Sequence, residues 1–305
     1  MSAADTARIL GAARKEGRNW RCRCPECGGK NLTLRDHSDG KLLAKCWNCN
    51  DPAAAYAKLH ELGFLDAPNQ SYGTSSEPRR IDPDKNEARI AGGMRILRAA
   101  RSIEGTIVEK YLGTRGFRPR DLPDETRAHL YFHPHCPYPG GPDLPAMIGL
   151  VEHVVHGRVG IHRTFLRESG LGKADIKPDR ASLGPIKGGA VRLGAVRPSI
   201  ELVIGEGIET VLSVMHACGL PGWAALSALG IEKLILPPEA TRVLVCADHD
   251  VNGTGQRHAR EAAERFLAEG RRVRIALPKK PDTDFNDLLR SAVPESAGEP
   301  SYAPR

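Results

Sequence analysis

Between Ile200 and Arg290 the chain alternates short apolar runs with helical stretches, and acids follow the apolar runs. Leu202-Val203-Ile204 reads as a strand that breaks at Gly205, followed by Glu206-Gly207 and a helix over Ile208–Cys218. Arg242–Ala247 is a second strand, too apolar to alternate, and runs into Asp248-His249-Asp250-Val251-Asn252-Gly253. A helix from about Gln256 to Glu269, a third strand over Arg272–Leu277 and the acidic loop Asp282–Asp287 complete the pattern. Strand, helix, strand, helix, strand at this spacing predicts βαβ units and a parallel sheet. The acids then fall just beyond the carboxyl ends of the strands, where open α/β sheets place ligands. Carboxylates gathered there repel one another unless a cation lies between them. Hard oxygen donors of this kind suit Mg²⁺ or Mn²⁺.

Glu206-Gly207, Asp248-x-Asp250-x-x-Gly253 and Asp284 resemble the signature of the Toprim domain, a fold shared by bacterial-type primases, topoisomerases and some nucleases. Glu206-Gly-Ile-Glu-Thr210 and Asp284-Phe-Asn-Asp-Leu-Leu289 are most similar to the branch in phage- and plasmid-type primases. The resemblance implies that Glu206, Asp248 and Asp250 are catalytic and, with Asp284, hold Mg²⁺ or Mn²⁺. It departs at Thr210, where many primases have an Asp, and at Asn286, where some relatives have an acid.

Two Cys-x-x-Cys pairs lie near the start, Cys24-Pro-Glu-Cys27 and Cys46-Trp-Asn-Cys49, separated by a hairpin over Leu32–Leu34 and Leu42–Lys45. Each pair turns tightly enough to aim two sulfurs at one ion, so the spacing predicts a closed, structural Zn²⁺ site. Cys22 and His37 compete as ligands; the two symmetric pairs are preferred, with Cys22 a bystander. Arg21, Arg23, Lys30, Arg35, Lys41 and Lys45, interleaved with Trp20 and Trp47, suit single-stranded DNA or make an ordinary basic surface. Cys24–Lys30 also resembles the zinc-binding domain at the front of many primases.

The expected architecture is mixed α/β. A zinc ribbon occupies residues 1–65, opening with a basic helix over 3–17 and closing with a helix over Ala53–Leu62. A Pro/Ser/Gly-rich linker covers 66–84, an α+β region 85–197, a Rossmann-like Toprim domain 198–292 and a disordered tail 293–305. In the middle region, helices are expected over Glu87–Arg101 and Ile107–Leu112. Strands are expected at Leu130–Phe132, Met147–Val155 and Val159–Leu166. Tyr111-Leu-Gly-Thr-Arg115-Gly116 resembles a primase-core element, and Gly157–Thr164 resembles the strand pair leading to a nucleotide and template surface. Arg115, Arg163 and Lys187 are the nucleotide- or template-binding candidates. His129, His133, His135 and Cys136 suggest a second metal, although a packed loop stiffened by Pro134 and Pro137 fits better.

Net charge is +7, favouring an anionic partner. Neither a membrane-length apolar run nor a signal-peptide core is visible, and five of eight cysteines crowd between Cys22 and Cys49, so a cytoplasmic setting is expected. No Gly-x-x-x-x-Gly-Lys-Ser/Thr occurs, so a helicase motor is expected on a separate replicative partner. The resemblance implies a DNA primase that copies single-stranded DNA into a short RNA primer from nucleoside triphosphates. A Toprim nuclease and a non-catalytic DNA-binding accessory remain the alternatives.

Overall fold

The protein was described from a computed structural model covering residues 1–36, 42–46, 52–65, 83–250 and 253–292, in two compact units, Met1–Ile81 and Asp82–Arg305. The first unit opens with α1 (Ala3–Leu10), whose Ser2 side chain accepts the Asp5 N–H. The helix ends at Gly11, at φ 81°, instead of running to residue 17. The basic residues beyond it form β1 (Arg14–Glu16), because Gly17 at φ 60° closes a tight turn into β2 (Asn19–Cys22). β3 (Leu32–Asp36) and β4 (Leu42–Cys46) extend this into an antiparallel sheet in the order β1-β2-β3-β4. Leu32 and Leu34 of β3 turn inward by the period of two, onto Leu59 of α2 (Pro52–Glu61). The expected linker lies almost wholly outside the described residues, as does the tail.

The second unit begins with α3 (Pro83–Ala99), β5 (Arg101–Ser102), α4 (Ile107–Thr114) and the single turn α5 (Asp124–Arg127). β6 (Leu130–Cys136), β7 (Leu144–His153) and β8 (Gly157–Phe165) form an antiparallel meander, with a turn over residues 154–156. The expected His-rich loop is therefore part of a strand: β6 continues through Pro134 to Cys136 by way of a register shift after His133. β9 (Arg180–Leu183) pairs with β8, and β10 (Ala190–Arg192) pairs with β7.

The alternating region follows as β11 (Leu202–Gly205), α6 (Ile208–Cys218), β12 (Gly222–Ala224), α7 (Ala228–Lys233), β13 (Arg242–Cys246), α8 (Thr254–Ala268), β14 (Arg272–Ala276) and α9 (Phe285–Ala292). β14, β13, β11 and β12 are parallel neighbours in that order, as the apolar runs require. Every residue of β11 and residues 243–246 of β13 are buried. β12 then pairs antiparallel with β10, so one sheet runs from β14 through β7 to β5 and crosses the expected boundary at residue 197. α6 is buried from Ile208 to Met215, since β11 and β12 pack against it on one side and α9 packs on another. Its polar residues Glu209, Thr210 and Ser213 must therefore find partners inside the protein.

Candidate metal centre and its basic rim

Glu206 lies in the loop after β11, and Asp248 and Asp250 in the loop after β13. Gly253 at φ 68° turns the chain into α8, so that the Gly255 N–H donates to Asp250 Oδ2 at 3.0 Å. A Cβ on Gly255 would lie 3.0 Å from the Asp248 carbonyl oxygen, 3.2 Å from Asp250 Oδ2 and 3.4 Å from Glu206 Oε1. The Glu206 and Asp250 carboxylates and the Asp248 backbone thus border one small space at the start of α8, which a side chain at position 255 would crowd. Asp284 caps α9, exchanging bonds with Asp287: the Asp287 N–H donates to Asp284 Oδ1 at 2.8 Å, and the Asp284 N–H donates to Asp287 Oδ2 at 3.2 Å. The loops after β13 and β14 are tied together by the Asp282 N–H to the His249 carbonyl (2.8 Å) and the His249 N–H to the Thr283 carbonyl (3.3 Å). This tie brings the charge of Asp284 to bear on Asp248.

Burial and mutual repulsion dominate the electrostatics of these acids. Burial, then the charges of Asp248 and Asp250, push the Glu206 carboxyl up to about 7. Burial, then Asp284 and Asp250, push Asp248 up to about 6. Asp248 is hydrogen bonded to the Thr210 side chain, yet its Oδ1 is buried with no partner. An orphaned carboxylate oxygen among raised carboxyls is what a hard divalent cation would satisfy, so these residues fit Mg²⁺ or Mn²⁺. Among the described residues, metal-type side chains bring their donor atoms within 4.8 Å of one another in only two triads, and neither includes these acids. The wider spacing leaves room for water ligands, which Mg²⁺ retains.

A second set of groups adjoins the acids. Arg180, at the start of β9, is half-exposed, and its charge lowers Glu206, Asp248 and Glu209. Glu209 is 8% exposed; the Tyr111 hydroxyl donates to its Oε1 and Lys173 Nζ lies 3.4 Å from the same oxygen. Burial would raise this carboxyl, but Lys173 and the Tyr111 hydroxyl outweigh it and hold Glu209 down at about 2. Asn286, buried, donates through Nδ2 to the Arg115 carbonyl (2.7 Å) and to Ser213 Oγ (3.1 Å), joining α9 to α6 and to the end of α4.

Other predicted positions fall differently. The Arg115 guanidinium packs over the Tyr111 ring at 5.4 Å, and Lys187 is exposed in the loop before β10. Arg163, a nucleotide- or template-binding candidate, is buried. It is 5% exposed, donating to the carbonyls of Pro137 (2.8 Å) and Ala181 (3.3 Å), because β8 is covered on that side. Arg180 and the role of Glu209 escaped sequence reasoning; Arg180 stands in an unpatterned Pro-Asp-Arg stretch far from the acids in the chain.

In the first unit, Cys24, Cys27 and Cys46 bring their sulfurs within 4.8 Å of one another, with Cys27 and Cys46 Sγ 3.6 Å apart. The turn that aims them closes through the Gly28 N–H on the Cys24 carbonyl (2.9 Å) and the Cys24 N–H on the Gly29 carbonyl (2.7 Å). Three thiols so placed fit a thiolate zinc site. Cys49, the expected fourth ligand, lies outside the described residues, as do His37, Lys41 and Trp47. Cys22 is buried in the small core, and burial, then Cys24 and Cys46, pushes its thiol up to about 11.

The Toprim domain family model matches residues 201–295. Residues 201–295 are a Toprim domain. A second model, described as a domain of unknown function (DUF7146), matches residues 87–193, immediately before the Toprim domain. No curated protein matches the chain. The chain is similar to solved structures of DNA primases. The Aquifex aeolicus primase, zinc-binding and RNA polymerase domains, is 15% identical at a TM-score of 0.48, over 96% of this chain and 80% of that one. The bacteriophage T7 primase fragment is 17% identical at 0.42, over 89% and 94%. A Pseudomonas aeruginosa DNA primase domain is 17% identical at 0.43, over 68% and 74%. No described helix is long and apolar enough to cross a membrane.

Proposed function

We propose that the chain is a DNA primase, making a short RNA primer on single-stranded DNA by nucleotidyl transfer. The observation that carries the reading is the Toprim acid cluster with its orphaned Asp248 oxygen, bordered by the half-exposed Arg180. Glu206, Asp248, Asp250 and Asp284 would hold Mg²⁺ or Mn²⁺. The cation, when bound, would lower the pKa of a 3′-hydroxyl and neutralise charge on the transferring phosphate and departing pyrophosphate. Arg180 offers its guanidinium to the triphosphate, since it is near enough to the acids to alter their protonation and still reaches solvent. Glu209 holds Lys173 beside the same site and acts as a positioning residue. Arg115 and Lys187 would serve the template side. Cys24, Cys27, Cys46 and Cys49 would hold the ribbon's structural Zn²⁺, and the basic residues of the ribbon would meet the DNA phosphates. A separate replicative helicase would supply unwinding in the cytoplasm.

Incorporation of labelled nucleotides on circular single-stranded DNA tests this, with the Asp248→Asn/Asp250→Asn chain beside the native one. Short products that disappear in the variant are expected. Nicking of the template without nucleotides would replace the reading with a Toprim nuclease. Salt-sensitive DNA binding with neither product would replace it with an accessory role.

A further inference from the structure

Away from the strand-end acids, α7 and α8 of the Toprim domain bring together Glu232, His258 and Glu261, with their donor atoms within 4.8 Å of one another. His258 is 7% exposed, and its Nδ1 lies 2.7 Å from Glu232 Oε2 and 3.5 Å from Glu261 Oε2. His258 and Glu261 are three residues apart on α8 and so share a face, while Glu232 reaches in from α7. The backbones are fixed around them: Arg265 of α8 donates to the carbonyls of Glu232 (3.2 Å) and Leu234 (2.6 Å).

Arg257 Nε lies 4.0 Å from Glu261 Oε1, so the cation beside Glu261 is on the oxygen other than the one nearest the imidazole. Both carboxylates turn an oxygen to the same imidazole nitrogen, and one proton on Nδ1 can bridge to only one of them well. Lys233 engages the other oxygen of Glu232, Oε1, and leaves Oε2 facing the imidazole. A cleft of about 440 Å³, lined by Glu232, Lys233, Ile235, Glu261 and Arg265, opens the triad to solvent.

We propose that Glu232, His258 and Glu261 bind one divalent cation of the borderline class, with Zn²⁺ the fitting ion. One imidazole nitrogen with two carboxylates is a zinc-type donor set, and the cleft supplies water for the remaining position. The imidazole disfavours Mg²⁺ and Ca²⁺, which take oxygen. The site is independent of the strand-end acids but linked to them. The start of α7 gives Glu206 the Ala228 N–H, and the start of α8 gives Asp250 the Gly255 N–H. A cation joining α7 to α8 therefore holds together the two helices whose first turns position those acids.

The test measures bound zinc per chain by equilibrium dialysis of the full chain against Zn²⁺, with excess Mg²⁺ present to occupy the strand-end acids. The His258→Gln chain is expected to bind one zinc fewer than the native chain, with the Cys24→Ser/Cys27→Ser loss separate and additive. Circular dichroism checks folding. If His258→Gln does not fold, Glu261→Gln, on the more exposed side of the triad, must show the same loss. Equal zinc in native and variant chains overturns the proposal. So does a zinc lost on Asp248→Asn/Asp250→Asn but retained in the His258 and Glu261 variants.

Discussion

Asp248 is held in a conformation that costs the protein stability. Its carboxyl stands at about 6 in the folded chain against 3.8 for an ordinary aspartate, and Glu206 stands at about 7 against 4.5. For a raised carboxyl the folded state keeps its proton while the unfolded state has lost it, so folding grows less favourable as pH rises from about 4 to 7. The buried His162, pushed down to about 4 mainly by burial, works in the opposite sense over part of that range. The net curve is therefore less informative than a difference. Stabilisation of the native chain by Mg²⁺ should grow between pH 4.5 and 7, reaching on the order of 2 kcal/mol. The Asp248→Asn chain should melt higher than the native one without metal at pH 7 and gain little from Mg²⁺. Thermal melts with and without Mg²⁺ decide it; equal Mg²⁺ stabilisation in both chains would exclude Asp248 as a ligand. The acids were legible because each follows an apolar run. Arg180 was not, since its relation to them exists only once β9 is laid beside β8.

Among the elements, α6 is the one whose surroundings decide most. Its Glu209 takes a bond from Tyr111 of α4 and pairs with Lys173, which lies in the segment before β9. Replacing Lys173 with Met should cost about 3 kcal/mol at neutral pH, because it leaves a buried carboxylate with one donor fewer. Glu209 is depressed to about 2, so the stability its ionised form contributes is present above about 4.5 and is lost as pH falls through 2. The Lys173→Met penalty should therefore shrink in acid, as urea unfolding at pH 7 and pH 2.5 would show; a penalty unchanged with pH would sink the pairing. From sequence, α6 is legible to the residue, and β11 and β13 nearly so, because uninterrupted apolar runs between turn residues admit one reading. β12 is invisible, since three residues around Trp223 carry no periodicity. α1 is overextended because the helical pattern persists past Gly11, where positive φ ends the helix. Asn286 looks like a missing acid in sequence; in the fold it is a buried amide that spans α9, α6 and the α4 end.

For the molecule as a whole, the division at residues 81–82 separates a small core from a large one. The described core of the first unit is small, with Leu32, Leu34, Leu42, Leu59 and Leu65 buried and Leu10, Trp20, Tyr56 and Phe64 half-buried around it, so its stability leans on the thiolate site. Chelation should unfold this unit while the second stays folded. Tyrosine fluorescence and amide exchange would show protection lost in β1–β4 and kept in β11 and β13; loss in both units together would contradict it.

The β10–β12 ladder gives the second unit an unusual tolerance. Val191 and Arg192 pair with Ala224 and Trp223, so the covalent link through the exposed residues 197–200 is not what joins the two parts of the sheet. A chain severed there would leave two fragments that still complete one another's hydrogen-bond ladder. The large unit is in effect a split protein already wired for reassembly, and its acids and Arg180 would meet again across the break.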